Sequence, residues 1–270
     1  MQPTARGLAQ AVTSAVRSGS LAPEDRLPPI RQLAVHLGLS PSTVSASWSL
    51  LCRSGVLRTN GRRGTFVTSA ARPGNVRYRQ ALVHHSRSIE DFSTGLPDPT
   101  LLPDLGPSLL RLRDIAPLRT YLDPPVLPDL VDALRTDWPY VPERITLADG
   151  SMDALDAVLS WLLQPGDRVA VEHPSFPPLL DRLEVGGAVL DPVPLDDQGP
   201  VPAALAGAIQ RGCVCFVYQP RGQNPTGVSL SQQRRAHLAT LLGRSPCLII
   251  ENDSLGGVAA TPMISMGELL

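Results

Sequence analysis

The fold of the amino-terminal part is decided by residues 21–67, which read LAPEDRLPPIRQLAVHLGLSPSTVSASWSLLCRSGVLRTNGRRGTFV. Apolar residues recur at helical spacing in IRQLAVHL and again in VSASWSLL, and the turn Gly38-Leu39-Ser40 separates the two segments. Ser40 can cap the second helix, and Pro41 suits its first position, where no backbone donor is needed. The stretch therefore predicts two helices joined by a tight turn.

A basic hairpin is predicted directly after the second helix. Gly55 ends that helix, and Val56–Thr59 and Thr65–Val67 are predicted as two short strands around NGRRG, a tip with two arginines. In a helix-turn-helix followed by such a wing, the second helix lies in the major groove of DNA. The pattern favours DNA binding over the alternative, which is an ordinary three-helix domain with a surface hairpin.

Charge is divided unevenly along the chain. Residues 1–90 contain 12 arginines and three acidic residues, a formal charge of +9, whereas residues 91–270 contain 12 arginines and 22 acidic residues, a formal charge of −10. A basic segment joined to an acidic one indicates that only the first segment meets phosphates.

The region from Thr4 to Thr68 resembles the GntR family of bacterial transcription regulators. The pieces RLPPIRQLA, LGLSPSTV and GRRGTFV occur in the family's order and spacing. The resemblance implies seven DNA-contacting residues, before the turn, at the start of the recognition helix and on the wing: Arg31, Ser42, Thr43, Ser45, Arg62, Arg63 and Gly64. Many members carry Arg in the recognition helix where this chain has Pro41 and Ser45, so bidentate readout of guanine by this helix is not expected.

The remaining composition is typical of a cytoplasmic bacterial protein. No apolar run approaches 18 residues, and the amino-terminal MQPTARGLAQAV lacks the apolar core of a signal peptide. Cys213 and Cys215 share one face of the apolar strand CVCFVY, without a second pair to complete a metal site. We therefore expect both to be small core residues.

The predicted domains are residues 1–68, a linker at 69–90, and residues 91–270. The linker has mixed polarity and no sustained period. His84 and His85 within it are adjacent and cannot share a face, so a metal site is not favoured there.

Helices alternate with short apolar strands from Asp91 onward. The predicted helices are Ser151–Leu163, Pro177–Glu184, Pro202–Gln210 and Ser231–Leu242, and the predicted strands are Arg168–Glu172, Gly187–Pro192, Val214–Tyr218 and Cys247–Glu251. Near-continuous apolar strands between helices indicate a largely parallel sheet covered on both faces. Ligands of such sheets bind beyond the carboxyl ends of the strands.

The motifs after these strands resemble the large domain of fold-type I aminotransferases, which hold pyridoxal 5'-phosphate. ADGSMDAL is similar to the family's phosphate loop, VEHPSFP carries an aromatic residue where the family stacks a ring on the pyridine, and QNPTG (223–227) is the strongest match. The resemblance implies contacts to the phosphate, the ring faces, the phenolic oxygen, the pyridine nitrogen and, across a dimer, the partner subunit's phosphate: Gly150, Ser151, Met152, Phe176, Asn224, Asn252, Asp253 and Tyr121.

Two departures from the family bear on the chemistry. The aspartate that pairs with the pyridine nitrogen falls on Asn252, with Asp253 one residue later, and an asparagine cannot supply the charge that makes the cofactor an electron sink. All 24 residues counted as Lys+Arg are arginine, so the chain has no lysine to bond the cofactor covalently. We expect no catalytic residue, non-covalent cofactor binding at best, and an aminotransferase-like domain that is incomplete at its carboxyl end.

A GntR-like domain joined by a linker to an aminotransferase-like domain resembles the MocR subfamily. The expected fold is a mainly α winged helix-turn-helix joined to an α/β fold-type I pyridoxal-phosphate-dependent transferase-like domain. The resemblance implies a homodimeric transcription regulator that binds double-stranded DNA, senses pyridoxal phosphate or its amino-acid or amine adducts, and does not associate with membranes. Two alternatives are an aminotransferase with an accessory DNA-binding domain and a plain DNA-binding regulator whose degenerate second domain serves only dimerisation.

Overall fold

The computed structural model describes residues 3–68, 98–114, 120, 122 and 124–270, with backbone only at residues 17, 62 and 114. Two compact units are present, one formed by Met1–Arg77 together with Ala148–Leu270 and the other by Tyr78–Leu147. Every helix among the described residues is too short or too polar to cross a bilayer. The predicted linker, with His84 and His85, and Tyr121 lie outside the described residues.

The amino-terminal region folds as a winged helix. It contains α1 (Ala5–Arg17), α2 (Ile30–Leu37), α3 (Pro41–Arg53) and an antiparallel hairpin of β1 (Leu57–Thr59) and β2 (Thr65–Val67). One buried cluster holds these elements together, and its largest members come from α1, α3 and the hairpin: Leu8, Val44, Trp48, Leu51 and Leu57. The predicted helix-turn-helix and wing are confirmed.

Local residue chemistry fixes the turn between α2 and α3. Gly38 ends α2 in the left-handed region at φ +64°, where a side chain is disfavoured. The Ser40 hydroxyl accepts a hydrogen bond from the Thr43 N–H at 3.0 Å, and Pro41 occupies the first helical position. Both roles match the predictions for Ser40 and Pro41.

The described part of the second compact unit, Tyr78–Leu147, contains the short helix α4 (Gly106–Arg111) and the helix α5 (Pro128–Asp137). Most of its large apolar side chains are exposed, including Leu101, Leu109 and Leu122.

A five-stranded sheet occupies residues 168–251. The strands β3 (Arg168–His173), β4 (Val189–Asp196), β6 (Cys213–Tyr218) and β7 (Leu248–Glu251) are parallel, while β5 (Gly199–Pro200) is antiparallel to β4. The order across the sheet is β5-β4-β3-β6-β7. The chain steps from β3 to β4 on one side and later returns to β6 on the other.

Helices cover both faces of this sheet, as predicted. Two of them, α6 (Ser151–Leu162) and α7 (Pro177–Val185), share a buried cluster with one face, and α8 (Pro202–Gln210) and α9 (Gln232–Leu242) share a second cluster with the other. Burying both faces of the sheet makes the strands read as continuous apolar runs.

The predicted strand Gly187–Pro192 is displaced, because β4 runs from Val189 to Asp196. Pro192, the predicted last residue of the strand, lies inside it, as does Pro194. The Val189 N–H bonds the Asp167 carbonyl beside β3, and the Pro194 carbonyl accepts from Val201 on the opposite side. The even-numbered residues of β4 therefore direct their backbone groups away from β3. A proline at such a position removes no hydrogen bond between β4 and β3.

The expectation that Cys213 and Cys215 share one face is wrong, although both are buried core residues as expected. Cys213 belongs to the cluster that contains α8 and α9, and Cys215 to the cluster that contains α6 and α7. The cause is a bulge: Cys213 pairs with Arg168 and Cys215 pairs with Val169, so two residues of β6 oppose one step of β3. An extra residue in a strand reverses the side-chain alternation.

Candidate functional sites

The recognition helix α3 has one buried face and one open face. Val44, Trp48 and Leu51 anchor it in the winged-helix core. Ser42 and Ser45 are exposed at its amino-terminal end, and Thr43 is half-buried. The structure thus brings the predicted base-reading residues together at the end of the helix that enters the major groove in this fold.

The start of α3 is held by a small hydroxyl network. The Ser40 Oγ lies 2.7 Å from the Ser42 Oγ and 2.8 Å from the Thr43 Oγ1. One turn on, the Ser49 hydroxyl donates to the Ser45 carbonyl at 3.0 Å. Thr43 therefore also takes part in the helix cap, whereas the Ser45 hydroxyl is not one of the three hydroxyls of this network.

The wing tip is a 3-10 turn, Gly61–Arg63, closed by the Asn60 N–H bonding the Gly64 carbonyl at 2.9 Å. Arg63 is exposed, and the Arg62 side chain lies outside what the structure describes. Arg31 is exposed on α2. All three predicted arginines therefore belong to surface elements of the winged helix.

Two further arginines of the winged helix escaped the sequence reasoning. A methyl group built on Gly64, whose φ is +110°, would lie 3.1 Å from the Arg26 Nε, so Gly64 leaves room for Arg26 against the wing. Arg58 instead pairs with Glu24 and places its guanidinium 5.1 Å from the Phe66 ring centroid. The sequence signal for Arg26 was its place at the start of RLPPIRQLA, and only the fold brings it to the wing.

A second set of predicted residues surrounds the carboxyl ends of β3, β6 and β7. The chain leaves β3 toward β4 on one side, and β6 flanks β3 on the other, so the crevice between the ends of β3 and β6 is a topological switch point. Open α/β sheets bind ligands at such points.

Gly150, Ser151 and Met152 form the amino-terminal end of α6. Gly150 precedes the helix at φ +101°, no side chain caps the helix, and a methyl group on Gly150 would meet nothing within 4 Å. Among the described residues, this helix end is therefore uncrowded at Gly150 and has no side-chain cap, and the amides of such a helix end suit an anion. Asp153 lies in the same turn, where it accepts from the Asp149 N–H at 3.1 Å.

Phe176 lies beyond β3 at the start of α7 and is half-buried. It packs against the same apolar cluster as Met152 and Ile250. The ring predicted to stack on the pyridine thus belongs to a cluster that also includes a residue of the first turn of α6.

Glu172, at the end of β3, is a functional candidate that the sequence reasoning missed. It is only 2% exposed, its Oε2 accepts from the Gln219 N–H at 3.0 Å and the Gln223 Nε2 at 3.4 Å, and its Oε1 has no hydrogen-bond partner in the described part of the chain. Burial raises the pKa of this carboxyl to about 8, although the bonds from Gln219 and Gln223 act in the opposite direction. The signal was an acidic residue ending an apolar strand, VAVE.

The QNPTG loop is shaped by two glutamines. The Gln219 side-chain oxygen accepts from the Asn224 N–H at 2.6 Å, and Gln223 donates to the Pro174 carbonyl at 2.9 Å. Gln223 also accepts from Thr226 through the backbone N–H at 3.1 Å and the hydroxyl at 2.6 Å. These bonds leave Asn224 exposed, at the edge of the crevice.

The two strand-end candidates after β7 have different environments. Asn252 is 7% exposed, and its N–H bonds the Tyr218 carbonyl at 2.9 Å. Asp253 accepts two hydrogen bonds from Arg221. Asn252 is therefore the residue buried at the crevice, while the carboxylate of Asp253 is already paired.

The donors present fit the phosphate and ring of pyridoxal phosphate but not its usual covalent attachment. The donors are the helix-end amides at Gly150–Met152 and the side-chain amides of Asn224 and Asn252, and the Phe176 ring supplies an apolar face. The chain has no lysine. Tyr121, the predicted contribution of a partner subunit, lies outside the described residues.

Two protein families match the chain, each over one part of it. Residues 4–67 match the bacterial regulatory proteins of the gntR family, and residues 88–258 match the aminotransferase class I and II family.

Similar proteins include two transcription regulators. The vitamin B6 salvage pathway transcriptional repressor PtsJ of Salmonella typhimurium is 34% identical over 96% of this chain and 60% of its own length. The pyridoxine biosynthesis transcriptional regulator PdxR of Corynebacterium glutamicum is 27% identical over 91% and 55%. The chain thus spans 60% or less of either relative.

Among solved structures, kynurenine aminotransferase of Pyrococcus horikoshii is similar in fold. Its TM-score is 0.55 at 24% identity, with 67% of this chain and 48% of that chain covered. The likeness supports the α/β aminotransferase fold predicted for the second domain.

Proposed function

This chain belongs to the aminotransferase class I and II family and carries a gntR-type domain, and from that premise we propose that it is a DNA-binding transcription regulator whose second domain binds pyridoxal phosphate or its amine adducts. The MocR layout expected from the sequence, a GntR domain followed by an aminotransferase-like domain, is confirmed. Such a regulator works on bacterial DNA in the cytoplasm. We also propose the domain division 1–68, 69–90 and 91–270.

One observation carries the DNA-binding half of the proposal: one folded winged helix presents both an open amino-terminal end of α3 and exposed arginines. Ser42 and Ser45 are exposed on α3, Arg31 is exposed on α2, and Arg63 is exposed on the wing. Arginines neutralise phosphates, whereas hydroxyls reach base edges in the groove. In this proposal Arg31, Arg62 and Arg63 hold the duplex, while Ser42 and Ser45 read it, and Thr43 and Gly64 position the helix start and the wing.

The effector half rests on the crevice between β3 and β6. The Gly150–Met152 amides would hold the phosphate, Phe176 would cover the ring, Asn224 would bond the phenolic oxygen, and Asn252 would meet the pyridine nitrogen. When bound, the group supplies an electrophilic aldehyde at which an amine can be recognised. Asp253 lies next to this set but is paired with Arg221. In a homodimer, Tyr121 of the partner subunit would complete the phosphate site.

The enzyme alternative is not favoured by these residues. Aminotransferases move protons with the same lysine that holds the cofactor, and arginine is too basic and too weak a nucleophile to replace it. A site that binds the group without a lysine suits sensing better than turnover. The dimerisation-only alternative leaves the uncapped end of α6 and the buried Glu172 without a role.

The proposal is tested by the salt dependence of duplex binding. With random-sequence duplex DNA as the probe, Arg62→Ala with Arg63→Ala should flatten the slope of log K against log salt by roughly one to two units, at about 0.9 per lost phosphate contact. Arg244→Ala, which removes an exposed arginine of the sheet region, is the matched control and should leave the slope unchanged. An unchanged slope in the wing variant would refute the wing assignment, and an original chain without DNA affinity would refute the function.

A further inference from the structure

Within the first compact unit, the winged helix meets the amino-terminal edge of the sheet at two glycine turns. A methyl group on Gly187, just before β4, would lie 2.8 Å from the Ser54 Cβ at the end of α3. A methyl group on Gly166, just before β3, would lie 3.3 Å from the Arg6 Nε and 3.6 Å from the Leu50 Cδ1. We call this contact the joint, formed by Gly166 and Gly187 against Arg6, Leu50 and Ser54.

Arg6 makes polar contacts at the joint that are partly exposed to solvent. The Arg6 guanidinium donates to the Gly166 carbonyl and lies 3.9 Å from the Asp167 carboxylate. The Arg6 side chain is 45% exposed, so solvent screens this ion pair and its contribution to stability is small. The two glycine turns support each other, because the Gly166 N–H bonds the Gly187 carbonyl at 2.8 Å.

Packing beside the joint is incomplete. A cavity of about 210 Å³ lies between α1 and α3 on one side and α6 and α7 on the other, with Val16, Ser54, Leu159 and Val185 among its lining residues. Protein interiors are normally close-packed, so a void at a contact means that attractive contacts are missing there. A weakly held contact of this kind can be opened by a modest free-energy change elsewhere.

Two rigid elements run from the joint to the two functional sites. Strand β3 begins beside Gly166 and Asp167 and ends at Glu172 and the crevice, about 20 Å away at 3.3 Å per residue. Helix α3 ends beside Ser54 and begins at the exposed Ser42, also about 20 Å away at 1.5 Å per residue. Strand β3 and helix α3 thus connect the joint with both sites.

We propose that the joint transmits occupancy of the crevice to the DNA-reading face of α3. This inference rests on the proposed function, since it presupposes that both ligands bind. The joint is the route of the coupling between the two sites. When the joint is disrupted, each ligand still binds, but neither changes the affinity for the other. Coupling between two binding sites is reciprocal and lies typically between about five- and 150-fold in affinity.

The experiment measures the ratio of two Kd values for DNA, one with and one without pyridoxal phosphate. A variant that changes DNA affinity equally in both conditions therefore leaves this ratio unchanged. The Kd for random-sequence duplex DNA is determined for the full chain with and without saturating pyridoxal phosphate. Gly187→Ala places a methyl group against Ser54 and also 3.2 Å from the Pro165 Cα, whereas Gly212→Ala places one at a similar φ, +78° against +76°, with nothing within 4 Å. Arg6→Ala weakens the contact from the winged-helix side alone.

The original chain and Gly212→Ala should give the same ratio, Gly187→Ala should bring it to within about twofold of unity, and Arg6→Ala should move it toward unity by a smaller factor. Each variant should still bind both ligands. A ratio unchanged in both joint variants would overturn the proposal, as would a ratio of one in the original chain. A chain that fails to bind one of the ligands at all would instead contradict the proposed function, so the two failures are distinguishable.

Discussion

Arg221 and Asp253 face each other beyond the ends of β6 and β7, where the Nε and Nη2 of the guanidinium donate to the two carboxylate oxygens at 2.8 and 2.6 Å. The Arg221 side chain is 12% exposed and Asp253 22%, so the pair is shielded from water on most sides. The pairing raises the pKa of Arg221. A carboxylate engaged in two charge-assisted bonds is poorly available to a ligand.

Asp253→Asn and Asn252→Asp should therefore have different effects, the first on stability and the second on cofactor affinity. The first breaks the bidentate pair and should lower the free energy of unfolding by about 1–3 kcal/mol, with little change in pyridoxal phosphate affinity. The second places a carboxylate at the proposed pyridine position and should tighten pyridoxal phosphate binding. Urea unfolding and equilibrium dialysis measure the two effects. Loss of cofactor affinity in Asp253→Asn at unchanged stability would reverse the two roles.

Glu172 should make the stability of the chain fall as pH rises. Its pKa is about 8 in the folded chain against an ordinary 4.5, so between these values the folded state holds a proton that the unfolded state releases. This group's contribution is fully present below the lower value and is lost by about 1.4 kcal/mol per pH unit as pH rises toward the upper one.

Glu172→Gln removes the titrating group and keeps an oxygen for the Gln219 N–H. Urea unfolding at about pH 5.5 and about pH 8.5 should show a smaller loss of stability in this variant than in the original chain. Asp197→Asn, at an exposed turn, is the control and should keep the original pH dependence. Identical slopes in all three proteins would rule out a protonated Glu172.

Ser42→Ala and Ser45→Ala should weaken sequence discrimination without changing salt dependence. A hydrogen bond to a base edge contributes about 1 kcal/mol, so each variant should lose about fivefold between preferred and random duplexes. Selection from a random duplex library supplies the preferred sequence. Ser49→Ala, whose hydroxyl bonds the Ser45 carbonyl on the same helix, is the control and should discriminate as the original chain does.

No covalent cofactor adduct should form on an internal side chain, because the chain has no lysine. Borohydride reduction in the presence of pyridoxal phosphate, followed by intact mass and peptide mapping, should label the amino-terminal amine at most. A stoichiometric phosphopyridoxyl group on an internal residue would contradict this prediction. The chain should also show no transaminase activity.

Asn224→Ala should reduce reversible pyridoxal phosphate binding. The Asn224 backbone is fixed by Gln219, so the substitution removes the side-chain amide while leaving the N–H bond that shapes the loop. Loss of one hydrogen bond predicts about a fivefold weaker Kd in equilibrium dialysis. Tight binding that ignores Asn224 would place the cofactor elsewhere.

Local sequence patterns were sufficient to predict the structure where a residue influences only the segment that contains it. The helix Pro202–Gln210 has the predicted bounds, and Ser40 and Pro41 begin α3 as their chemistry requires. The errors arise where a neighbouring strand decides the outcome. Pro192 lies inside β4 because of the side on which β3 pairs, and Cys213 changes face because β6 bulges against β3.

The candidate sites follow the same division. Motifs identified Gly150, Phe176 and Asn224, since each belongs to a loop with its own sequence signature. Glu172 and Arg26 had no such signature, because their importance depends on partners distant in sequence: Gln219 lies 47 residues from Glu172, and Gly64 is far along the chain from Arg26. Pairing across a sheet or onto a wing is a property of the fold and cannot be read from one segment.

Pro192 also limits how this protein can misassemble. On the outer side of β4, before the stretch that pairs with β5, position 192 is exposed and its proline offers no N–H to an incoming strand, whereas at position 194 the outward carbonyl already accepts from the Val201 N–H. An edge with a missing donor is a poorer template for another chain, which is how many sheet proteins avoid aggregating edge to edge. Replacing Pro192 with valine would restore that donor and favour edge-to-edge pairing, so a residue that resembles a strand breaker here protects solubility.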